Sequence, residues 1–179
     1  MPNQHLNGST IENNQWVIAP EAAEQTTRLA EQTQLQVADA SATSTLQTLE
    51  TWATAAEKKN LLVSGDAEVA DIEAAIGAAG QAPEVIFIDF PVFTDGRGYS
   101  LARLLKRAEW FNGKLAAIGD VLQDQVYFFW RCGFDVIVPR HDQNIENCQK
   151  ALNSFSHVYQ PAVNNPATKE NKALEAEPA

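Results

Sequence analysis

The residues of this chain whose types and spacing could carry chemistry fall in a few short stretches. The first runs Asp89-Phe90-Pro91-Val92-Phe93-Thr94-Asp95-Gly96-Arg97-Gly98-Tyr99-Ser100. Two glycines allow close backbone approach, Arg97 supplies a guanidinium, and Ser100 is placed to cap a following helix. Free N–H groups at a helix start beside an arginine form a natural seat for sulfate, sulfite or phosphate. Asp95, Gly96, Arg97, Gly98 and Ser100 are therefore the candidate anion site, with Arg103 one turn into the helix as a second fork. The plainer reading makes Asp95-Gly96 a tight turn, Ser100 only a cap, and Arg97 an ion-pair partner of Asp89 or Asp120. The stretch lacks the third glycine of a dinucleotide fingerprint and the Gly-Lys-Ser/Thr of a Walker loop.

Asp120 and Asp124 stand one turn apart, a spacing that suits a metal, a general base or simply the start of a helix. Histidine is the side chain for proton transfer near neutral pH, which makes His141, in Pro139-Arg140-His141-Asp142, a candidate acid or base. Asp89, Asp120, Asp124 and His141 thus stand as acid–base or structural residues. Cys132, in Arg131-Cys132-Gly133-Phe134-Asp135, reads as a small buried hydrophobe before a helix-ending glycine. A redox role there requires an accessible thiol of low pKa, and no C-x-x-C partner accompanies it. Cys132 and Cys148 together make at most one disulfide and cannot complete a tetrahedral zinc site. No metal site is expected. No flavin, haem or iron–sulfur ligand spacing occurs either, so no cofactor is evident.

These stretches fall at the ends of a regular pattern. Leu61-Leu62-Val63, Val85–Ile88, Lys114–Ile118 and Phe134–Val138 are apolar runs without alternation, as expected of parallel strands covered on both faces. Helical periodicity follows each: Val69, Ile72 and Ile76; Leu101, Leu104 and Leu105; Val126, Phe129 and Trp130; Ile145, Cys148 and Leu152. Alternating strand and helix predicts a single α/β domain built on a parallel sheet of about four to five strands with flanking helices. The sheet is either open and doubly wound or half-barrel-like. In either layout ligands gather outside the carboxyl ends of the strands, which is where the loops above lie.

The remainder divides by composition. Residues 1–13 are polar and expected to be disordered. Residues 14–60 form a variable region, with a short strand at Trp16–Ala19, a weakly ordered Ala/Gln/Thr/Glu stretch at 21–48 and an amphipathic helix over Leu46–Lys58. Residues 61–160 are the α/β core, and residues 161–179, with three prolines and no aromatic residue, are expected to be a disordered tail.

A net charge of −10 over 179 residues argues against a nucleic-acid or anionic-membrane partner, since phosphates are held by Lys and Arg. The charge is uneven: residues 84–160 carry eight basic and nine acidic side chains, so the flanks hold nearly all of the excess. A nearly neutral, arginine-bearing core leaves room for a small oxyanion. No apolar run approaches a membrane span, and the first residues lack the basic and then apolar stretch of a secretory signal. The expectation is a reduced, cytoplasmic protein.

The run Ile88 to Leu105 resembles the signature of a bacterial family, domain of unknown function 934. Gly119-Asp120-Val121-Leu122-Gln123-Asp124-Gln125, Arg131-Cys132-Gly133-Phe134-Asp135 and Phe155-Ser156-His157-Val158-Tyr159-Gln160 are similar to further segments of it. The resemblance is close over residues 84–160 and looser through Trp16 and Trp52. Members are labelled as oxidoreductases of sulfite reduction and are encoded beside the sulfite reductase haemoprotein, without established catalytic residues. The resemblance therefore implies sulfur assimilation, with the haemoprotein as partner. Three roles are carried forward: an accessory protein of sulfite reduction, an oxidoreductase taking part directly, and a non-catalytic interaction module.

Overall fold

The computed structural model describes residues 4–19, 23–37, 44–155 and 162–164. The chain opens with an antiparallel hairpin, β1 (Gln4–Asn7) and β2 (Thr10–Asn13), followed by β3 (Val17–Ile18), α1 (Ala23–Thr33) and β4 (Gln36–Val37). Next come β5 (Thr45–Thr48), the one-turn α2 (Leu49–Trp52), β6 (Asn60–Ser64), α3 (Val69–Ala79) and β7 (Val85–Phe90). The chain continues through α4 (Arg97–Leu105), β8 (Lys114–Gly119), a 3₁₀ turn at Gln123–Gln125, α5 (Val126–Cys132), β9 (Val136–Ile137) and α6 (Ile145–Leu152). Among the described residues no helix is long and apolar enough to cross a membrane.

The nine strands of the described residues join one sheet in the order β2-β1-β9-β8-β7-β6-β5-β3-β4. From β5 to β9 the strands are parallel and neighbours in chain order. Every crossover in that run steps the same way, and right-handed connections then put α3, α4 and α5 on one face. Leu61, Ile86, Leu115 and Ile137 point towards that face and pack with Ile72, Leu101, Leu105 and Phe129. The step reverses once, at β3: β4 lies on its far side, so α1 crosses to the other face. There Leu29 and Leu35 cover Ile18, Leu46, Leu62, Phe87 and Ile118. The sheet is curled into a half-barrel with α1 on its inner face.

This corrects three expectations. The sheet is mixed and nine-stranded, not parallel with four or five strands, and it is half-barrel-like, because the central order runs without a switch point. Residues 4–13, expected to be disordered, form the hairpin whose β1 pairs antiparallel with β9. Residues Leu46–Lys58 are not one helix: β5 enters the sheet first, and only Leu49–Trp52 is helical. The overlooked strands, β1, β2, β4 and β5, are two to four residues long and rich in Thr, Asn and Gln. Neighbouring strands, more than their own apolar content, hold them in place. Trp16–Ala19 is extended as read, yet β3 lies inside the sheet between β5 and β4. Most of the tail expected at 161–179 lies outside the described residues. Val163 and Asn164 are tied to the domain by hydrogen bonds, Val163 N donating to Arg131 O (3.1 Å) and Asn164 Nδ2 to Phe134 O (3.2 Å).

Candidate functional site

Asp89, Asp120 and Arg140 meet their partners at the carboxyl ends of β7, β8 and β9. Asp89 is the last inward-facing residue of β7, in register with Ile118 of β8. It is 3% exposed, and its Oδ2 accepts from Gln25 Nε2 (2.9 Å) and from Arg28 Nη2, both on α1. Its Oδ1 is buried without a hydrogen-bond partner. Burial pushes the Asp89 carboxyl above the ordinary range, against the pull of Arg28 and Gln25. Gln25, Arg28 and Gln32 share one face of α1 by their spacing of three and four. Gln32 donates to Pro91 O (3.2 Å) and accepts from Arg28 Nη1 (2.6 Å), so this row ties α1 to the end of β7.

β8 ends at Gly119, whose φ of +108° brings the chain against β7. A Cβ there would lie 2.4 Å from Phe90 O, so only glycine lets Asp120 N donate to that carbonyl (2.7 Å). The turn delivers Asp120 to two partners. Its Oδ2 accepts from Phe93 N (2.9 Å) and its Oδ1 from Arg140 Nη1 (2.7 Å). Arg140 also grips Asp142 through Nε (2.7 Å) and Nη2 (2.8 Å), holding the Asp142 carboxyl well below its ordinary range. Asp124 is exposed in the 3₁₀ turn on the side of Tyr99, so Asp120 and Asp124 do not form a carboxylate pair. Among the described residues no group of three or more His, Cys, Asp or Glu is arranged to hold a metal.

His141 is exposed at a cleft of about 680 Å³ between the end of α1 and the start of α6. Its backbone N donates to Gln32 O (2.8 Å), and its Nδ1 lies 3.1 Å from the same oxygen. A carbonyl only accepts, so Nδ1 carries a proton and Nε2 is the ring atom left for chemistry. Arg140, Asp142, Asn144 and Glu146 share the cleft wall.

The Asp95–Ser100 loop is arranged differently from an open anion seat. α4 begins at Arg97, so Ser100 lies inside the helix and does not cap it. Asp95 does the capping: its Oδ1 accepts from Arg97 N (3.1 Å) and Arg97 Nε (3.0 Å), and its Oδ2 from Nη2 (2.7 Å). Arg97 Nη1 reaches Asp66 Oδ2 (2.8 Å) across the loop after β6. Those contacts hold the Asp95 carboxyl low, while Asp66 is held low first by Ser64 and then by Arg97. Gly98 is buried because α4 starts directly over Phe90: a Cβ would sit 2.5 Å from the ring. Arg103 is exposed on the side of Cys132, away from the Arg97–Asp66 contact. Cys132 is buried and burial raises its thiol pKa. Burial likewise pushes Cys148 up to about 11, the opposite of what a thiolate nucleophile needs.

A family of bacterial proteins of unknown function, DUF934, has a model that matches residues 61–169. The chain belongs to this family. No curated protein and no solved structure shows significant similarity to it. The DUF934 span takes in Asp89, Asp95, Arg97, Asp120, Arg140, Asp142 and His141. The helix that supplies Gln25, Arg28 and Gln32 precedes it. Sequence reasoning missed those three and the bridging role of Arg140. One signal for Arg28 was present: it is the only Lys or Arg in the first 57 residues, within an otherwise acidic stretch. Buried acidic partners are where a solitary cation of that kind belongs.

Proposed function

We propose that this protein is an accessory factor of sulfite reduction in sulfur assimilation, acting in the cytoplasm by docking to the sulfite reductase haemoprotein. The pathway and the partner come from the family resemblance of the Ile88–Leu105 run and its companion segments. One observation carries the docking mode: both arginines of the carboxyl-end loops are already closed by carboxylates. Arg97 is held by Asp95 and Asp66, and Arg140 by Asp142 and Asp120. A sulfite or phosphate at Arg97 has to displace Asp95, which competes at an intramolecular concentration on the order of millimolar or more. The same closed pairs brace the loops into a fixed surface, which suits recognition of a protein better than capture of a small anion.

Growth of a deletion strain on sulfate, sulfite, sulfide or cysteine as sole sulfur source tests the assignment. Failure on sulfate and sulfite with rescue by sulfide and cysteine is expected. Complementation by an Arg97→Ala variant is expected as well, because that guanidinium braces a loop and holds no substrate. Normal growth of the deletion strain on sulfite overturns the assignment.

A further inference from the structure

Two asparagines of the chain stand directly before a glycine: Asn7-Gly8, at the end of β1, and Asn112-Gly113, just before β8. An Asn-Gly bond carries its own reaction, which makes asparagine one of the heat-labile residues of proteins. The glycine amide nitrogen, once deprotonated, attacks the asparagine Cγ. The carboxamide C–N bond breaks, ammonia leaves, and a succinimide ring closes. Water then opens that ring at either carbonyl, giving aspartate or isoaspartate, so water is the co-reactant and ammonia the by-product. Two conditions govern the rate in a folded chain. The glycine N–H must be free of an acceptor, and the asparagine side chain must be free to swing onto it.

Asn7 meets neither condition. Its Nδ2 donates to Glu12 Oε1 (2.9 Å), its Oδ1 accepts from Lys114 Nζ (3.3 Å), and Gly8 N donates to Asp135 O (2.8 Å). Asn112 meets both. It is exposed, and among the described residues its side chain has no hydrogen-bond partner and Gly113 N donates to no acceptor. Asn112 also lines an open cleft of about 530 Å³ with Trp110 and Glu84, where water reaches the carboxamide.

We propose that Asn112 is a site of spontaneous deamidation in the folded protein, and that the hairpin protects Asn7 from the same reaction. The product bears on the sheet. Gly113 fills a slot in which a Cβ would lie 2.6 Å from the Phe111 ring and 2.8 Å from Glu84 O. Lys114 N donates to the same carbonyl (2.9 Å), and Lys114 pairs with Val85 as the first residue of β8. Isoaspartate adds a methylene to the backbone between positions 112 and 113, and the slot has no room for the shift, so the start of β8 loosens. Aspartate leaves the backbone unchanged and adds only a charge on the surface.

The test incubates the full-length protein at mildly alkaline pH, folded and in denaturant, and follows both asparagines by peptide mapping with mass spectrometry. Trypsin releases residues 108–114 as one peptide, whose asparagine, aspartate and isoaspartate forms separate by chromatography. In the folded protein Asn112 is expected to convert about tenfold or more faster than Asn7, which reacts only after the hairpin opens locally. In denaturant the two are expected to convert at similar rates. Equal rates in the folded protein overturn the proposal, and so does a difference that survives in denaturant. Aged wild type is expected to melt below fresh protein, while an aged Asn112→Gln variant keeps the melting temperature of its fresh form. An equal decline in that variant overturns the effect on β8.

Discussion

Gly98 shows at the scale of one atom how the loop after β7 is positioned. Its hydrogen is all that fits over the Phe90 ring, and Phe90 in turn packs edge-on against Phe129 at 4.8 Å. Gly98→Ala pushes a methyl into that stack and is expected to lower stability by about 1–3 kcal/mol, the usual cost of overpacking. Denaturant unfolding monitored by tryptophan fluorescence measures it, and a loss near zero means α4 lifts freely from the sheet. The glycines of this stretch were read from the sequence as openings for a ligand. In the structure Gly98 is an opening filled by an aromatic ring, a distinction that residue types alone do not carry. Asp95 repeats the lesson, since a carboxylate two residues before an arginine is equally a ligand-site neighbour and, as here, the group that occupies the site.

At the scale of elements, α1 is joined to the sheet by a buried charge pair as well as by Leu29. Arg28→Ala strips the buried Asp89 carboxyl of its cation and leaves Gln25 as its remaining donor, and a loss of about 2–3 kcal/mol is expected, moderated because Arg28 keeps some solvent. The double change Arg28→Ala with Asp89→Asn removes the stranded charge and should recover most of that loss. A double-mutant cycle on unfolding free energies reads the coupling directly, and additive effects mean the pair contributes nothing. This element also marks where legibility ended. The middle strands were readable because Leu61–Val63, Val85–Ile88 and Lys114–Ile118 are covered on both faces and need no polar residue. α3, α4, α5 and α6 were readable from their apolar stripes, to within a few residues at their ends. The strands β1, β2, β4 and β5 were not, since each is short, largely polar and held by its neighbours in the sheet more than by an apolar run of its own. Of the site, Asp89, Asp120 and His141 were found because they end strands. Their partners on α1 were missed because contacts between residues some sixty positions apart leave no local pattern.

For the whole molecule, the N-terminal hairpin is locked by His5, which is 4% exposed, stacks on Trp16 at 4.5 Å and lies 2.7 Å from Asn14 Oδ1 through Nδ1. Burial holds the His5 pKa below its ordinary 6.5, in spite of Glu12 nearby. The unfolded chain therefore takes up this proton more readily than the folded one. Stability from the neutral ring is complete above about pH 6.5 and is lost as pH falls below it towards the lowered folded value. Melting temperature is expected to decline through that window, and a His5→Phe variant should lack this part of the decline. Identical profiles mean His5 is not the sensor. The hairpin has a wider consequence. Extension of a β-sheet sideways is a polymerisation, and β9 without β1 beside it would be a growing end, open to a strand of another chain. By folding Gln4–Asn13 back as a hairpin, the protein covers the β9 edge with a strand of its own and hands the open edge to β2, a four-residue strand whose Thr10, Glu12 and Asn13 are exposed and polar.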